Sequence, residues 1–276
     1  MVIRFENTRP SRTMRPMISG RVDVHLEDYL VLVTGGSRGI GRGIAEAFLA
    51  SGAAVIVCGR NAPDVPPVGG GRTAQFLACD VRDADAVGRL FEQIESEHGR
   101  LDVLVNNAGG SPSVDAASAS PRLTEKIIQL NLTGPLHCAQ AANRIMQKQD
   151  AGGSIINIAS VAGGVRPAPT AAAYGAAKAG LLSATESLAM EWGPRVRVNA
   201  VIAGLVATEH SGDHYGGAEG VRRIGEMFPL KRMAEPADIA AACLYLASPL
   251  AAYVSGAQLA VHGGGERPAF LYLADK

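Results

Sequence analysis

From Tyr29 onward the chain alternates short, β-branched apolar runs with longer alanine-rich stretches, and that alternation restricts the possible folds more than any other feature. The runs Leu30 to Thr34, Ala54 to Cys58, Ala74 to Ala78, Val103 to Asn106, Ser154 to Ile158, Arg197 to Ile202 and Gln258 to Val261 predict strands. Between them, Gly41 to Ala50, Ala84 to His98, Arg122 to Gln149, Ala173 to Trp192 and Pro236 to Ser248 predict helices. Strands separated by helices need crossover connections, which implies a parallel sheet covered on both faces. Near-continuous apolar strands fit that double burial. No internal repeat or composition break marks a second domain. The expected architecture is therefore α/β, one doubly wound domain over 29–276 with strand order 3-2-1-4-5-6-7.

Residues 1–28 differ from the rest. They carry Arg4, Arg9, Arg12, Arg15 and Arg21 with two prolines, and read as a flexible arm rather than a targeting or partner-binding segment. No apolar run is long enough for a membrane span. Acids and bases balance at 26 each, which argues against a broad nucleic-acid or membrane-surface footprint. Four cysteines lie far apart without a Cys-x-x-Cys pair and read as buried free thiols of a reducing cytoplasm. The six histidines show no paired ligand spacing, so no metal is expected.

Two short motifs bear chemistry. Residues 174–178 read Tyr-Gly-Ala-Ala-Lys, and positions i and i+4 share a helix face, so Tyr174 and Lys178 can meet at one point. A phenol titrates near ~10, and an adjacent cation would lower that value toward the range of a useful acid/base catalyst. A surface lysine packed over a ring would give the same pair. Thr34 to Gly41 follows the first strand, and Gly35, Gly39 and Gly41 permit a tight turn whose amides could approach a pyrophosphate at a helix N-terminus. A close strand-to-helix joint would use the same glycines. No Gly-Lys-Ser/Thr follows, which disfavours nucleoside-triphosphate chemistry.

Taken in order, Thr34 to Gly41, Asn106-Asn107-Ala108-Gly109, Asn131, Ser160 and Tyr174 to Lys178 resemble the short-chain dehydrogenase/reductase family, in its short single-domain branch. Asp80-Val81 and Val198-Asn199 add to the resemblance, which runs from Tyr29 to Pro268. Two positions depart from the family pattern. Ala203-Gly204 stands where Pro-Gly is usual, at a loop bordering nicotinamide, and Val261-His262-Gly263-Gly264 stands where Val-Asp-Gly-Gly is usual, at the dimer edge or substrate end.

The resemblance implies hydride transfer between nicotinamide and a ketone or secondary alcohol, with Tyr174 as proton donor or base and Lys178 assigned to the phenol and the nicotinamide ribose. Ser160 would bond the substrate oxygen, and Asn131 would position a water leading from Lys178 to solvent. Ser160 also reads as a strand-end cap, and Asn131 as a helix-kink residue. Gly35, Ser37, Arg38, Gly39, Ile40 and Gly41 would hold the phosphates, Asp80 and Val81 the adenine, and Asn107, Ala108 and Gly109 the adenosine and its ribose. Val206 and Thr208 would hold the carboxamide.

The second strand ends Gly59-Arg60, with no acid to bond a ribose 2′-hydroxyl, and Arg38 can join Arg60 on a 2′-phosphate. This favours NADP(H) over NAD(H), against the reading of Arg60 as a solvated strand end. A 3-oxoacyl-thioester reductase is the commonest counterpart, a hydroxysteroid or other small-carbonyl enzyme the runner-up. A catalytically silent dinucleotide sensor is the alternative from another class, and a sugar-nucleotide epimerase is disfavoured by the lack of a C-terminal substrate domain. His210, His214 and Tyr215 fall in an expected lid and are assigned no role. Small residues such as Ala139, Ala141, Ala142, Ala176 and Ala177, with Leu181 and the tail Ala269 to Leu273, predict helix packing into a homo-tetramer or dimer.

Overall fold

The computed structural model describes residues 24–164, 166–209 and 211–266. Strands β1 (Leu30–Thr34), β2 (Ala54–Gly59), β3 (Gln75–Ala78), β4 (Val103–Asn106), β5 (Gly153–Ser160), β6 (Val196–Ala203) and β7 (Gln258–Val261) form one seven-stranded sheet. Its order is 3-2-1-4-5-6-7 and every pair is parallel, as the alternation predicts.

Period-two side-chain alternation divides the core between the two faces. Val31, Val33, Val55 and Val57 pack with Ile44 and Phe48 of α1 (Gly39–Ala50) and with Ile239, Cys243 and Leu246 of the helix Pro236–Ala247. Leu30, Leu32 and Ile56 point the other way, onto Leu90, Phe91 and Ile94 of α2 (Ala84–His98) and onto Cys138 and Ile145 farther along.

The single helix expected over Arg122 to Gln149 is three pieces: α3 (Pro121–Ile128), a π-helical turn Gln129–Thr133, and α4 (Gly134–Met146). Pro135 explains the break. It has no N–H for the carbonyl of Asn131, and its ring would collide there, so the backbone widens by one residue. Next come α5 (Ala172–Trp192), α6 (Ser211–Tyr215), α7 (Gly217–Glu226) and α8 (Pro236–Ala247). A small hairpin also pairs Val68–Gly69 with Arg72–Thr73, turned by Gly70 and Gly71 at φ 55° and 74°.

The arm expected over 1–28 lies outside the described residues up to Asp23. Beyond it, Leu26 is 1% exposed in the α1 face of the core, and its amide donates to the Ser51 carbonyl at 2.8 Å. The tail Ala269 to Leu273 and residue His210 also fall outside the description. Among the described residues no helix is long and apolar enough to cross a membrane.

Candidate active site

The carboxyl ends of β1, β4 and β5 meet where the strand order reverses, the place at which open parallel sheets bind ligands. β5 ends in Ser160, and α5 returns over it carrying Tyr174 and Lys178 one turn apart. The half-buried Tyr174 phenol is hydrogen-bonded to Ser160, whose Oγ also accepts the Ala162 N–H at 3.2 Å. Lys178 is 3% exposed. Its Nζ donates to the Ile158 carbonyl at 2.7 Å and lies 5.7 Å from the centroid of the Tyr174 ring.

The electrostatics differ from the simple sequence picture. Burial pushes the Tyr174 phenol above its ordinary value, and the Ser160 hydrogen bond opposes it. Burial also pulls the Lys178 ammonium down to about 8. Lys178 spends a hydrogen bond on β5 backbone and lies over the Tyr174 ring, and burial, not the ammonium, sets the direction in which the phenol moves. Together the three side chains form a buried acid/base pair with a hydroxyl alongside.

Asn131 is 0% exposed in the π turn. Its amide clasps the Gly110 peptide in both directions, receiving the N–H at 2.9 Å and donating to the carbonyl at 2.9 Å, and also donates to Ile127 O at 2.9 Å. This is the helix-kink role. It holds Gly109 beside the lysine, since a β-carbon on Gly109 would lie 2.8 Å from Asn131 Oδ1 and 3.3 Å from Lys178 Nζ.

The glycine-rich turn is braced from β4. Thr34 Oγ1 accepts the amides of Asn107 and Ala108 at 3.0 Å each, while Asn107 Nδ2 donates to the carbonyls of Thr34 and Gly35 at 3.0 and 3.2 Å. The Asn107 side-chain nitrogen thus braces the turn. Gly41 is obligatory here, because a β-carbon would come within 2.3 Å of Gly35 O. Asp83 caps α2 and Ser120 caps α3, whereas Arg38 gives α1 no side-chain cap. Ser37 Oγ is buried without a partner. A helix start without a cap from its own N-cap residue, an orphaned hydroxyl and glycines that keep side chains away suit the phosphates of a dinucleotide. Ile40 is half-buried, and Arg38 and Arg60 are exposed.

Arg82 grips both carboxylate oxygens of Asp80 and holds it below the usual carboxylate range, with Arg60 contributing weakly. Val81 is 5% exposed behind it. At the far end Val206 bridges to Ala234, and the Thr208 amide donates to Ser211 Oγ at 2.8 Å. The two departures from the family pattern touch one another: a β-carbon on Gly204 would lie 2.8 Å from His262 Cα. Sequence reasoning missed Ser211, and also Glu209, whose Oε1 accepts the Gly39 amide at 3.0 Å. No local pattern marks a contact across 170 residues.

A family model described as Enoyl-(Acyl carrier protein) reductase matches residues 35–266. L-rhamnose 1-dehydrogenase (NAD(P)(+)) of Azotobacter vinelandii is 37% identical over 250 residues, covering 87% of this chain and 97% of that protein. D-threitol dehydrogenase of Mycolicibacterium smegmatis is 36% identical over 258 residues, covering 91% and 98%. The ligand-free structure of Thermoplasma acidophilum aldohexose dehydrogenase superposes with a TM-score of 0.80 at 31% identity, covering 89% of this chain and 96% of that one.

Proposed function

The chain belongs to the short-chain dehydrogenase/reductase family, and from that premise we propose that it is an NADP(H)-dependent oxidoreductase interconverting a ketone and a secondary alcohol, with Tyr174 as its acid and base. The dinucleotide, when bound, carries the hydride. The observation that bears most weight is the cluster at the end of β5, where the phenol, the Ser160 hydroxyl and the buried ammonium converge.

Reduction of a carbonyl develops negative charge on its oxygen, which needs a hydrogen-bond donor and then a proton. Ser160 supplies a donor and Tyr174 the proton. A phenol raised by burial is held protonated at neutral pH, the form that reduction consumes. Lys178, sealed behind the ring, stabilises the phenolate left behind. In oxidation the same phenolate removes the hydroxyl proton. Asn131 acts through Gly109 and Gly110, keeping that wall of the site against Lys178.

Gly35, Ser37, Arg38, Gly39, Ile40 and Gly41 would cradle the pyrophosphate, Asp80 and Val81 the adenine, and Ala108 and Gly109 the adenosine side. Val206 and Thr208 would hold the carboxamide. Preference for the 2′-phosphate rests on Gly59, whose missing β-carbon would meet nothing closer than 3.9 Å, and on the exposed guanidinium groups of Arg60 and Arg38. An intact Ser160, Tyr174 and Lys178 set favours an enzyme over a silent dinucleotide sensor. Similarity to proteins named for L-rhamnose, D-threitol and aldohexoses supports adding small polyhydroxylated alcohols to 3-oxoacyl thioesters and hydroxysteroids as candidate substrates. We further propose a cytoplasmic location, supported by four buried free thiols, and assembly as a homo-tetramer or dimer.

Turnover of a panel of sugars, polyols, 3-oxoacyl thioesters and steroids, followed by NADPH absorbance, tests the reading. Oxidation or reduction of at least one class is expected. Failure across the panel, with cofactor bound, would favour the sensing alternative.

A further inference from the structure

Glu209 reaches across the chain to the start of α1. Its carboxylate accepts the amide of Gly39, the first residue of α1, at 3.0 Å. The helix macrodipole favours an anion there, and Arg38 provides no cap to compete. That amide is also one of the donors the dinucleotide reading assigns to the pyrophosphate, so two anions are matched to one donor. The carboxylate leaves the cradle incompletely filled, because Ser37 Oγ on the same turn is buried without a partner.

The acid sits on a hook of chain fastened at both ends. Val206 bridges to Ala234, and the Ala207 amide donates to the Ala234 carbonyl at 2.7 Å. Ser211, 5% exposed, receives the Thr208 amide on its hydroxyl at 2.8 Å and returns its own amide to the Thr208 carbonyl at 3.0 Å. Thr208 is drawn onto the glycine-rich turn, where a β-carbon on Gly39 would lie 3.5 Å from its Cγ2.

We propose that Glu209 is a positioning residue: an internal anion that latches the Val206 to Glu209 segment over the pyrophosphate subsite and is displaced when a pyrophosphate enters. The latch rests on the dinucleotide reading above and deepens it. Cofactor entry works against a charge-assisted hydrogen bond. No covalent step is involved.

Equilibrium titrations of the full chain with NADPH, ADP and adenosine 2′-monophosphate provide the test, on wild type, Glu209→Ala and Glu209→Gln. Removing the competing carboxylate should tighten NADPH and ADP roughly five-fold or more in Glu209→Ala. Glu209→Gln, which keeps the shape but only a neutral acceptor, should fall between. Adenosine 2′-monophosphate carries no pyrophosphate and should change by less than about two-fold, the residue of long-range charge. NADPH and ADP binding that is unchanged or weaker in both variants overturns the latch, as does equal tightening of all three ligands. A plain helix-capping role predicts that pattern of unchanged affinity with a lower melting temperature. If the wild-type chain binds neither NADPH nor NADH, the dinucleotide reading fails first and the latch with it.

Discussion

Lys178 carries a positive charge to a place that is 3% exposed, and burial draws its ammonium down to about 8. At neutral pH it is still mostly protonated, so the folded chain bears a desolvation cost that the Ile158 carbonyl only partly offsets. Between about 8 and its unfolded value near ~10.4 the unfolded chain holds a proton that the folded chain has released, so wild-type stability rises with pH in that window. Lys178→Met should therefore melt higher than wild type at pH 7, with the gain shrinking toward pH ~10, and it should lose turnover. A lower melting temperature at neutral pH would show that the ammonium stabilises the fold. Tyr174→Phe removes a proton and leaves the pocket, so turnover should fall by ~10²–10⁴-fold with NADPH affinity nearly unchanged. In the wild type the raised phenol sets the direction of pH dependence. Alcohol oxidation, which needs phenolate, should accelerate from about pH 7 to about pH 10, while carbonyl reduction should not. Near wild-type rates in Tyr174→Phe would discard the assignment.

Two elements govern the site's shape. The π turn Gln129–Thr133 delivers Asn131 to the Gly110 peptide, so Asn131→Ala would remove both side-chain hydrogen bonds that hold that exposed glycine in place. Each lost bond costs ~0.5–1.5 kcal/mol, which should appear as a lower melting temperature together with slower turnover, because the Gly109 wall beside Lys178 is released. Full activity at an unchanged melting temperature would count against the clasp. The end of β2 governs the cofactor. NADPH should bind about ten-fold or more tightly than NADH, since a charge-assisted bond to phosphate contributes ~1.5–3 kcal/mol, and Arg60→Asp should erase or invert that ratio. Equal affinities for the two dinucleotides in the wild type, titrated at one salt concentration, would overturn the assignment. The cysteines on these elements are remote in sequence yet not all remote in space. Cys58 at the end of β2 is hydrogen-bonded to Cys79, just beyond β3, which pushes the Cys58 thiol well up.

At the scale of the whole molecule, the small residues expected to form an association surface prove mostly internal. Ala139, Ala141, Ala142, Ala177 and Leu181 are buried in the chain's own core, and Ala176 is exposed. The outward side of α5 carries Ala172, Ala176 and Ala179 beside polar residues such as Ser183 and Glu186, and apolar surface also remains at Met190, Leu250 and Tyr253, 88%, 63% and 104% exposed. Three large apolar side chains this open to water are better covered by another copy than left solvated. Light scattering at micromolar concentration should return a mass near four chains, or two. A mass near one chain would decide for a monomer.

The sequence by itself determined the sheet and most of its helices, because period-two and period-3.6 burial patterns are local and the β1 and β4 strands end at the residues where their apolar runs end. It also determined which residues could do chemistry, since Tyr174, Lys178, Ser160 and the glycine turn are each recognisable in their own short window. The π turn was in principle legible from Gly134-Pro135, and the small hairpin from Gly69-Gly70-Gly71, but each competes with a simpler pattern of continuous helix or loop. Tertiary structure alone decided what no window contains. Burial sets the direction in which the Tyr174 phenol and the Lys178 ammonium move, and burial depends on the whole packed sheet. Asn131 meets Gly110 across 21 residues, and Glu209 reaches Gly39 across 170, because the fold brings those backbones together. Hydrogen bonds between distant segments leave no periodic trace in sequence, so the partners of the candidate catalytic groups, and not the candidates themselves, had to come from the folded chain.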